Sequence, residues 1–287
     1  MVSIRFLEYY PPSMAKRIAY QGISGSFSSM AARALYGDDI EPVQTKRFRE
    51  IFEHVTSGTA DAGVVPIENA LAGSIHENYD LLSEFACSIV GEYYCPVQLH
   101  LLGISGGIPL SSITRVVSHP KALEQCSNFF EEHPHLSPIV FSDTAGAALH
   151  IKEQRDTTLA AIASTEAAQH FGLSIIRDSI QNHAANATRF FAIAAKPREI
   201  PNPTKCSLEL SLPHEPASLH KLLGEFAELS VNVTKIESRP IPGKPFEYTF
   251  HIDIENERPE ILQEAAARAA TRARDLRVLG FYRTTNA

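Results

Sequence analysis

The chain has 287 residues, 44% of them hydrophobic and 21% charged, enough for two or three compact domains, each with its own buried core. Its formal charge of -7 gives no general attraction to nucleic acid or to an anionic membrane surface, so an anionic ligand needs a local pocket. Cys87, Cys95, Cys126 and Cys206 are scattered with no CxxC pair, and no stretch approaches the ~18 apolar residues of a membrane span or forms a secretory leader, which predicts a cytoplasmic protein with no structural zinc.

Residues 1–15 contain Pro11-Pro12 and precede the first predicted strand, so they read as an arm, with Met14 a second candidate start. From Arg17 onward short apolar runs alternate with helical patterns, the signature of an α/β architecture with a largely parallel sheet. Residues 17–20 form a strand that ends in Gln21-Gly22-Ile23-Ser24-Gly25-Ser26, after which Phe27, Met30, Ala31, Ala34 and Leu35 fall at helical spacing. Residues 62–65 form a buried strand running into Pro66-Ile67-Glu68-Asn69, followed by a helix with Ile75, Tyr79 and Leu82 on one face. Residues 113–117 lead to Ser118-His119-Pro120, with Pro120 suited to a first helical turn and Leu123, Cys126 and Phe130 as the buried stripe. Residues 139–141 end at Ser142-Asp143-Thr144 and residues 159–163 at Ser164-Thr165, each before an alanine-rich helix.

Each of these hydroxyls and carboxylates can serve simply as a helix N-cap. Taken together they place several helix N-termini at the carboxyl ends of strands. That is the crevice of an open α/β fold, where free N–H groups and positive dipole ends favour a small carboxylate-bearing ligand.

Residues 196–205 carry three prolines and no periodicity, so a domain boundary falls there. The remainder reads βαββαβ: a strand at 206–212, a helix opened by Pro216 with Leu219, Leu222, Leu223 and Phe226 inward, and a strand at 231–239. A turn at 241–245 follows, then a half-buried strand in which Phe246, Tyr248, Phe250, Ile252 and Ile254 alternate with polar residues, a helix at 259–275 and a strand at 278–282. This is a ferredoxin-like unit of roughly 80 residues.

The run Asn182 to Phe191, NHAANATRFF, enters an apolar strand. A charge there needs a partner. Alternation places Thr188 and Phe190 on one face and Arg189 on the other, unless the strand begins only after Arg189. Thr188 is therefore expected in the pocket. His119 at a helix start is read as a cap or packing residue, and His133 and His135 around Pro134 as exposed.

Five signatures in register resemble the prephenate dehydratase family: GxxGSFS at residues 22–28, VPIEN at 65–69, SHPxALxQC at 118–126, AAIAS at 160–164 and Asn-x-Thr-Arg-Phe at 186–190. The resemblance implies a two-lobed catalytic domain like periplasmic binding proteins over residues 17–196, with the chain crossing to the second lobe near Pro96 and returning near Ile175. It also implies a C-terminal ACT domain over residues 204–284. The implied reaction removes the ring hydroxyl and the carboxylate, as CO2, from prephenate to give phenylpyruvate in phenylalanine biosynthesis, with no cofactor and no metal. The arm at 1–15 is too short for the chorismate mutase domain that some relatives carry, so a monofunctional lyase is expected.

Carried over by position, the catalytic residues are Thr188, as hydrogen-bond donor or relay to the departing hydroxyl, with the amides of Asn69 and Gln125 orienting the substrate. Glu68 is either an acid, if burial raises its pKa, or a solvated or capping carboxylate, and Gln125 stands either in the pocket or toward solvent. Ser26, Phe27, Ser118, Thr144, Arg189 and Phe190 are implied in substrate binding, Phe190 lining the ring site or simply the core. Glu237-Ser238-Arg239-Pro240 matches the family's phenylalanine-binding motif. Its partner, usually Pro-Gly-Ala-Leu, here reads Pro216-Ala217-Ser218-Leu219, and Ala217 adds a methyl where a glycine lets a ligand approach. Two further departures are Ala70 where the family has Ser and Ser26 where it has Thr. Prephenate and an L-phenylalanine effector are the expected partners, in a homodimer or homotetramer paired through the ACT domain, with no nucleic acid and no membrane. Arogenate dehydratase, a two-lobed binding protein without catalysis and an ACT-containing regulatory subunit are the alternatives.

Overall fold

The computed structural model describes residues 16–241 and 243–285. The arm at 1–15 and Pro242 of the 241–245 turn lie outside the described residues. The first lobe comprises β1 (Lys16–Gln21), α1 (Phe27–Tyr36), β2 (Ile40–Thr45), α2 (Phe48–Thr56), β3 (Ala62–Asn69), β4 (Gly73–Ser74), α3 (His76–Glu84) and β5 (Ser88–Pro96). The second contains β6 (His100–Gly103), β7 (Arg115–Ser118), α4 (Pro120–Glu124), α5 (Ser127–Glu132), β8 (Ser137–Val140), α6 (Thr144–Gln154), β9 (Leu159–Ala163), α7 (Thr165–Phe171) and β10 (Ser174–Arg177). The chain then returns through β11 (Ala187–Ala194), which lies between β5 and β3 and runs antiparallel to both.

The first sheet runs β2-β1-β3-β11-β5 and the second β8-β7-β9-β6-β10, each with an apolar core of its own. This is the expected two-lobed α/β plan. The first crossing falls between Pro96 and His100. The return does not fall near Ile175, because Ile175 is paired with Leu102 in the second sheet; the chain goes back between Arg177 and Ala187. The single helix expected after Pro120 is two, α4 and α5. Cys126, between them, has φ -115 and ψ 22, and Asn182 Oδ1 accepts the Asn128 N–H at 3.1 Å. That external cap starts a second helix in a new phase, so Phe129 is more deeply buried than Phe130.

The C-terminal unit is β12 (Lys205–Ser211), α8 (Ser218–Glu228), β13 (Asn232–Pro240), β14 (Tyr248–Glu255), α9 (Pro259–Arg272) and β15 (Asp275–Tyr282). Its antiparallel sheet has the order β13-β14-β12-β15, the ferredoxin-like arrangement. Leu208, Ile252, Ile254, Leu222, Phe226 and Leu262 form its core. Phe246 is not in β14: it has φ +64, lies in the turn and is 80% exposed. The polar positions of β14 are not solvated either. His251 and Asp253 are buried because that face of the sheet packs on the first lobe. A last short strand, β16 (Thr284–Thr285), joins the first sheet parallel to β5. Among the described residues no helix is long and apolar enough to cross a membrane.

Candidate active site

Strand-to-helix turns bring four capped helix N-termini to the carboxyl ends of the two sheets. Ser26 Oγ accepts the Ser29 N–H at 3.2 Å, and Asp143 carboxylate oxygen accepts Gly146 N–H at 2.6 Å. His119 Nδ1 accepts Lys121 N–H at 3.2 Å, and burial lowers its pKa although Asp143 pulls it up. Ser164 Oγ accepts Ala167 N–H at 3.1 Å and donates to the Gly25 carbonyl of the first lobe at 3.0 Å. The lobes meet closely there: a Cβ on Gly25, at φ +89, would lie 3.0 Å from Ala167 Cα, so glycine is required for both conformation and space. Phe27 packs against the cores of both lobes.

At the entry to β11, Thr188 is paired with Asn69 on one side and Cys95 on the other. The Asn69 side chain is fixed first. Its Oδ1 accepts the backbone N–H groups of Leu71 (3.1 Å) and Ala72 (2.9 Å), so its Nδ2 must be the end that faces β11. Nδ2 donates to Thr188 Oγ1 at 3.0 Å, to Asn186 Oδ1 at 2.9 Å and to the Ala187 carbonyl at 3.2 Å. A threonine hydroxyl that accepts from an amide keeps its own hydrogen for another partner. The half-buried Thr188 is therefore a pre-oriented donor.

Of the other expected site residues, Glu68, Arg189, Ser118 and Phe190 stand elsewhere. Glu68 points away from Thr188, and its Oε1 accepts from Lys235 Nζ of the C-terminal unit at 2.7 Å. Arg189 is 4% exposed and also faces that unit: its guanidinium donates to Glu92 Oε2 (2.7 Å), Asp253 Oδ2 (2.6 Å) and Tyr282 Oη (3.2 Å). Strand alternation puts both on the face opposite Thr188, so neither belongs to the cleft. Ser118 is fully buried and its hydroxyl donates to the Ile162 carbonyl at 2.7 Å, linking β7 to β9. Phe190 lies in the core with Tyr20, Ala31 and Tyr93, the second of its two readings. Gln125 ends α4 in the second lobe and is half-buried; its carbonyl accepts the Asn182 N–H at 2.7 Å. Thr144 is half-buried as the first residue of α6.

Asn186 enters the sequence reading only as the first residue of a signature, and His100 not at all. Asn186 is 3% exposed; because its Oδ1 faces Asn69, its Nδ2 is a buried donor with no protein partner among the described residues. It lies two residues before Thr188, which is the signal that could have found it. His100 accepts the Ser179 N–H at Nδ1 (3.0 Å), so its Nε2 carries the hydrogen that Thr165 Oγ1 accepts at 3.0 Å. Burial lowers the His100 pKa, and nothing in the local sequence pairs it with Thr165. Burial pushes the Cys95 and Cys126 thiols up to about 12, which suits packing and not nucleophilic attack.

In the C-terminal unit, Ser218 and Leu219 line a cavity of about 180 Å³ with Leu212, Pro213, Tyr248 and Phe250. Ala217 is the N-cap of α8 at φ 64, the left-handed region that a glycine enters without strain. Glu237 and Arg239 do not line this cavity. Alternation along β13 turns both toward the first lobe, where Glu237 meets Ser74 at 2.6 Å and Arg239 meets Asp80 at 2.8 Å, while Ser238 and Pro240 are exposed on the other side.

Two α/β lobes, with a threonine hydroxyl held by an amide where the chain enters β11, followed by a ferredoxin-like unit, define a class of small-molecule protein with an appended domain. Comparisons agree. A family model for prephenate dehydratase matches residues 18–198. Arogenate dehydratase/prephenate dehydratase 2, chloroplastic, of Arabidopsis thaliana is 40% identical over 279 residues, 93% of this chain and 72% of that protein. The bifunctional chorismate mutase/prephenate dehydratase of Enterobacter agglomerans is 34% identical over 283 residues, 96% of this chain and 73% of that protein. Among solved structures, prephenate dehydratase from Arthrobacter aurescens in complex with L-Phe has a TM-score of 0.82 at 28% identity, covering 93% of this chain and 90% of that one. GqqA, described as a quorum quenching acylase, has a TM-score of 0.82 at 32% identity, covering 93% and 97%. The chain belongs to the prephenate dehydratase family, and so to the lyases.

Proposed function

We propose that the chain carries out the decarboxylating dehydration of prephenate to phenylpyruvate, and that L-phenylalanine regulates it through the C-terminal unit, read as an ACT domain over residues 204–284 beside a catalytic domain at 17–196. The observation that carries this reading is the Asn69–Thr188 pair. In the reaction the bond from the ring to the departing carboxylate breaks, its electron pair enters the ring, and the ring hydroxyl leaves on the opposite carbon. That hydroxyl needs one proton to depart as water. Thr188, holding its hydrogen free of Asn69, donates a hydrogen bond to the leaving oxygen and can pass its proton on while taking one from solvent water, so that the hydroxyl is restored and water departs. Aromatisation supplies the driving force, and a cleft that strips water from the departing carboxylate favours its loss as neutral CO2. Gln125, Ser26, Phe27 and Thr144 are the remaining groups read as facing the substrate, with the helix N-termini favouring its carboxylates.

The cavity beside Ser218 and Leu219, apolar through Leu212 and Phe250 and also lined by His214 and Glu215, has the chemistry for an aromatic amino acid. The L-Phe complex of the Arthrobacter aurescens relative supports that effector. Four unpaired, buried cysteines suit a reduced compartment such as the cytoplasm. Several of the similar plant proteins are arogenate dehydratases, which favours a second reading in which arogenate is converted directly to phenylalanine. Purified chain given each substrate separately distinguishes them: phenylpyruvate absorbance from prephenate supports the first, phenylalanine from arogenate alone supports the second, and no product from either overturns both.

A further inference from the structure

Strand β13 presents Lys235, Glu237 and Arg239 on one face, and all three reach the first lobe. Lys235 Nζ lies 2.7 Å from Glu68 Oε1 and 2.7 Å from Ser74 Oγ. Glu68 and Ser74 are directly paired across the β3–β4 hairpin, so one ammonium grips both arms. Ser74 Oγ in turn donates to Glu237 Oε2 at 2.6 Å, His76 Nε2 stands 3.3 Å from Glu237 Oε1, and Arg239 forks onto Asp80 in α3 at 2.8 and 2.9 Å. The tip of the same hairpin holds the catalytic amide. Leu71 and Ala72 pin Asn69 Oδ1 there, and Asn69, next to Glu68, donates to Thr188. The Lys235 side chain is 13% exposed, so solvent screens this link less than it screens a surface ion pair.

We propose that Lys235 is a positioning residue for the reaction: it fixes the β3–β4 hairpin so that Asn69 stays on Thr188, and it transmits a displacement of β13 to that pair. The positional part rests on the geometry; the transmission rests on the reading of the C-terminal unit as a phenylalanine sensor. Small displacements at a reacting hydroxyl carry large rate penalties, and an effector that favours one position of β13 acts on turnover through this contact.

The test uses the full chain, with whichever of prephenate or arogenate it turns over, in wild type, Lys235→Met, Lys235→Arg and Ser74→Ala. Steady-state rates are read with and without saturating L-phenylalanine, and its affinity by equilibrium dialysis. In Lys235→Met, kcat is expected to fall about fivefold to tenfold with KM within about twofold, while L-phenylalanine binds within about twofold of wild type but no longer changes kcat. Lys235→Arg restores both, and Ser74→Ala shifts both in the same direction by less, which keeps the test open should Lys235→Met fold poorly. Wild-type kcat and wild-type inhibition in Lys235→Met overturn the proposal. A variant that is slowed yet fully inhibited supports the positional part and overturns the transmission. If wild type binds no L-phenylalanine, the sensor reading and the transmission fail together, and kcat still decides the positional part.

Discussion

Arg189 stands one residue from the hydroxyl assigned to the chemistry, yet its guanidinium is enclosed by Glu92, Asp253 and Tyr282 on the far side of the sheet. Lys205 also bonds Glu92, and Ser207 donates to Asp253 at 2.5 Å, so the charges are paired and their remaining acceptors used. Removing one partner from such a group leaves a buried charge short of compensation, at a cost of about 3 kcal/mol or more. Arg189→Met is therefore expected to melt several degrees lower, while kcat of the folded protein stays within about threefold of wild type because the side chain faces away from the cleft. A hundredfold loss of kcat in a well-folded Arg189→Met would return this residue to the site. At this scale alternation set Thr188 and Arg189 on opposite faces provided the strand began before Arg189, and β11 begins at Ala187. For Glu68 the sequence left two readings, an acid or a solvated or capping carboxylate, and neither contains its partner Lys235, 167 residues away. No local pattern contains a contact of that separation.

Elements hold the Asn69 amide by their geometry. The short hairpin of β3 and β4 turns its own backbone N–H groups onto Asn69, and β11 completes the cage with the Ala187 carbonyl. Strands, turns and capped helices were legible because period-two and helical spacing, proline and hydroxyl caps are local signals. The break between α4 and α5 was not, because its cap is Asn182 from another segment. Helix α8 begins at Ala217 in the left-handed region, where a Cβ costs about 1 kcal/mol relative to glycine. Ala217→Gly is expected to raise stability by a few tenths to about 1 kcal/mol in chemical denaturation, the relief of strain being partly offset by a looser unfolded chain. A clear loss of stability would mean that the methyl packs usefully.

The two halves of the molecule share one buried polar seam. Thr284 bonds Glu92 at 2.5 Å as β16 extends the first sheet, Arg277 reaches Glu209 at 2.7 Å and the Leu82 carbonyl, and His251 lies against Tyr79 and Ser83. The aperiodic, proline-bearing stretch at 196–205 runs from just after β11, which ends at Ala194, to the start of β12 at Lys205. The sequence could not show that the polar face of β14 is an interface, because alternation with polar residues looks the same whether the second face meets water or another domain. His251 is 2% exposed; burial first, then Arg277, lowers its pKa to about 4, with Asp253, Asp80 and Glu237 opposing. The unfolded chain protonates this histidine near its ordinary value of about 6.5, so between that pH and about 4 unfolding takes up a proton and stability falls as the pH falls. The melting midpoint of wild type should drop across this window more steeply than that of His251→Gln, and parallel curves would remove the histidine from the acid response. Whether the Asn69-oriented Thr188 hydroxyl serves the departing ring oxygen is decided by product formation from prephenate or arogenate in Thr188→Ala alongside wild type, with circular dichroism to verify the fold. A well-folded variant whose kcat is lower by about a hundredfold or more is expected; wild-type turnover in that variant would remove Thr188 from the chemistry.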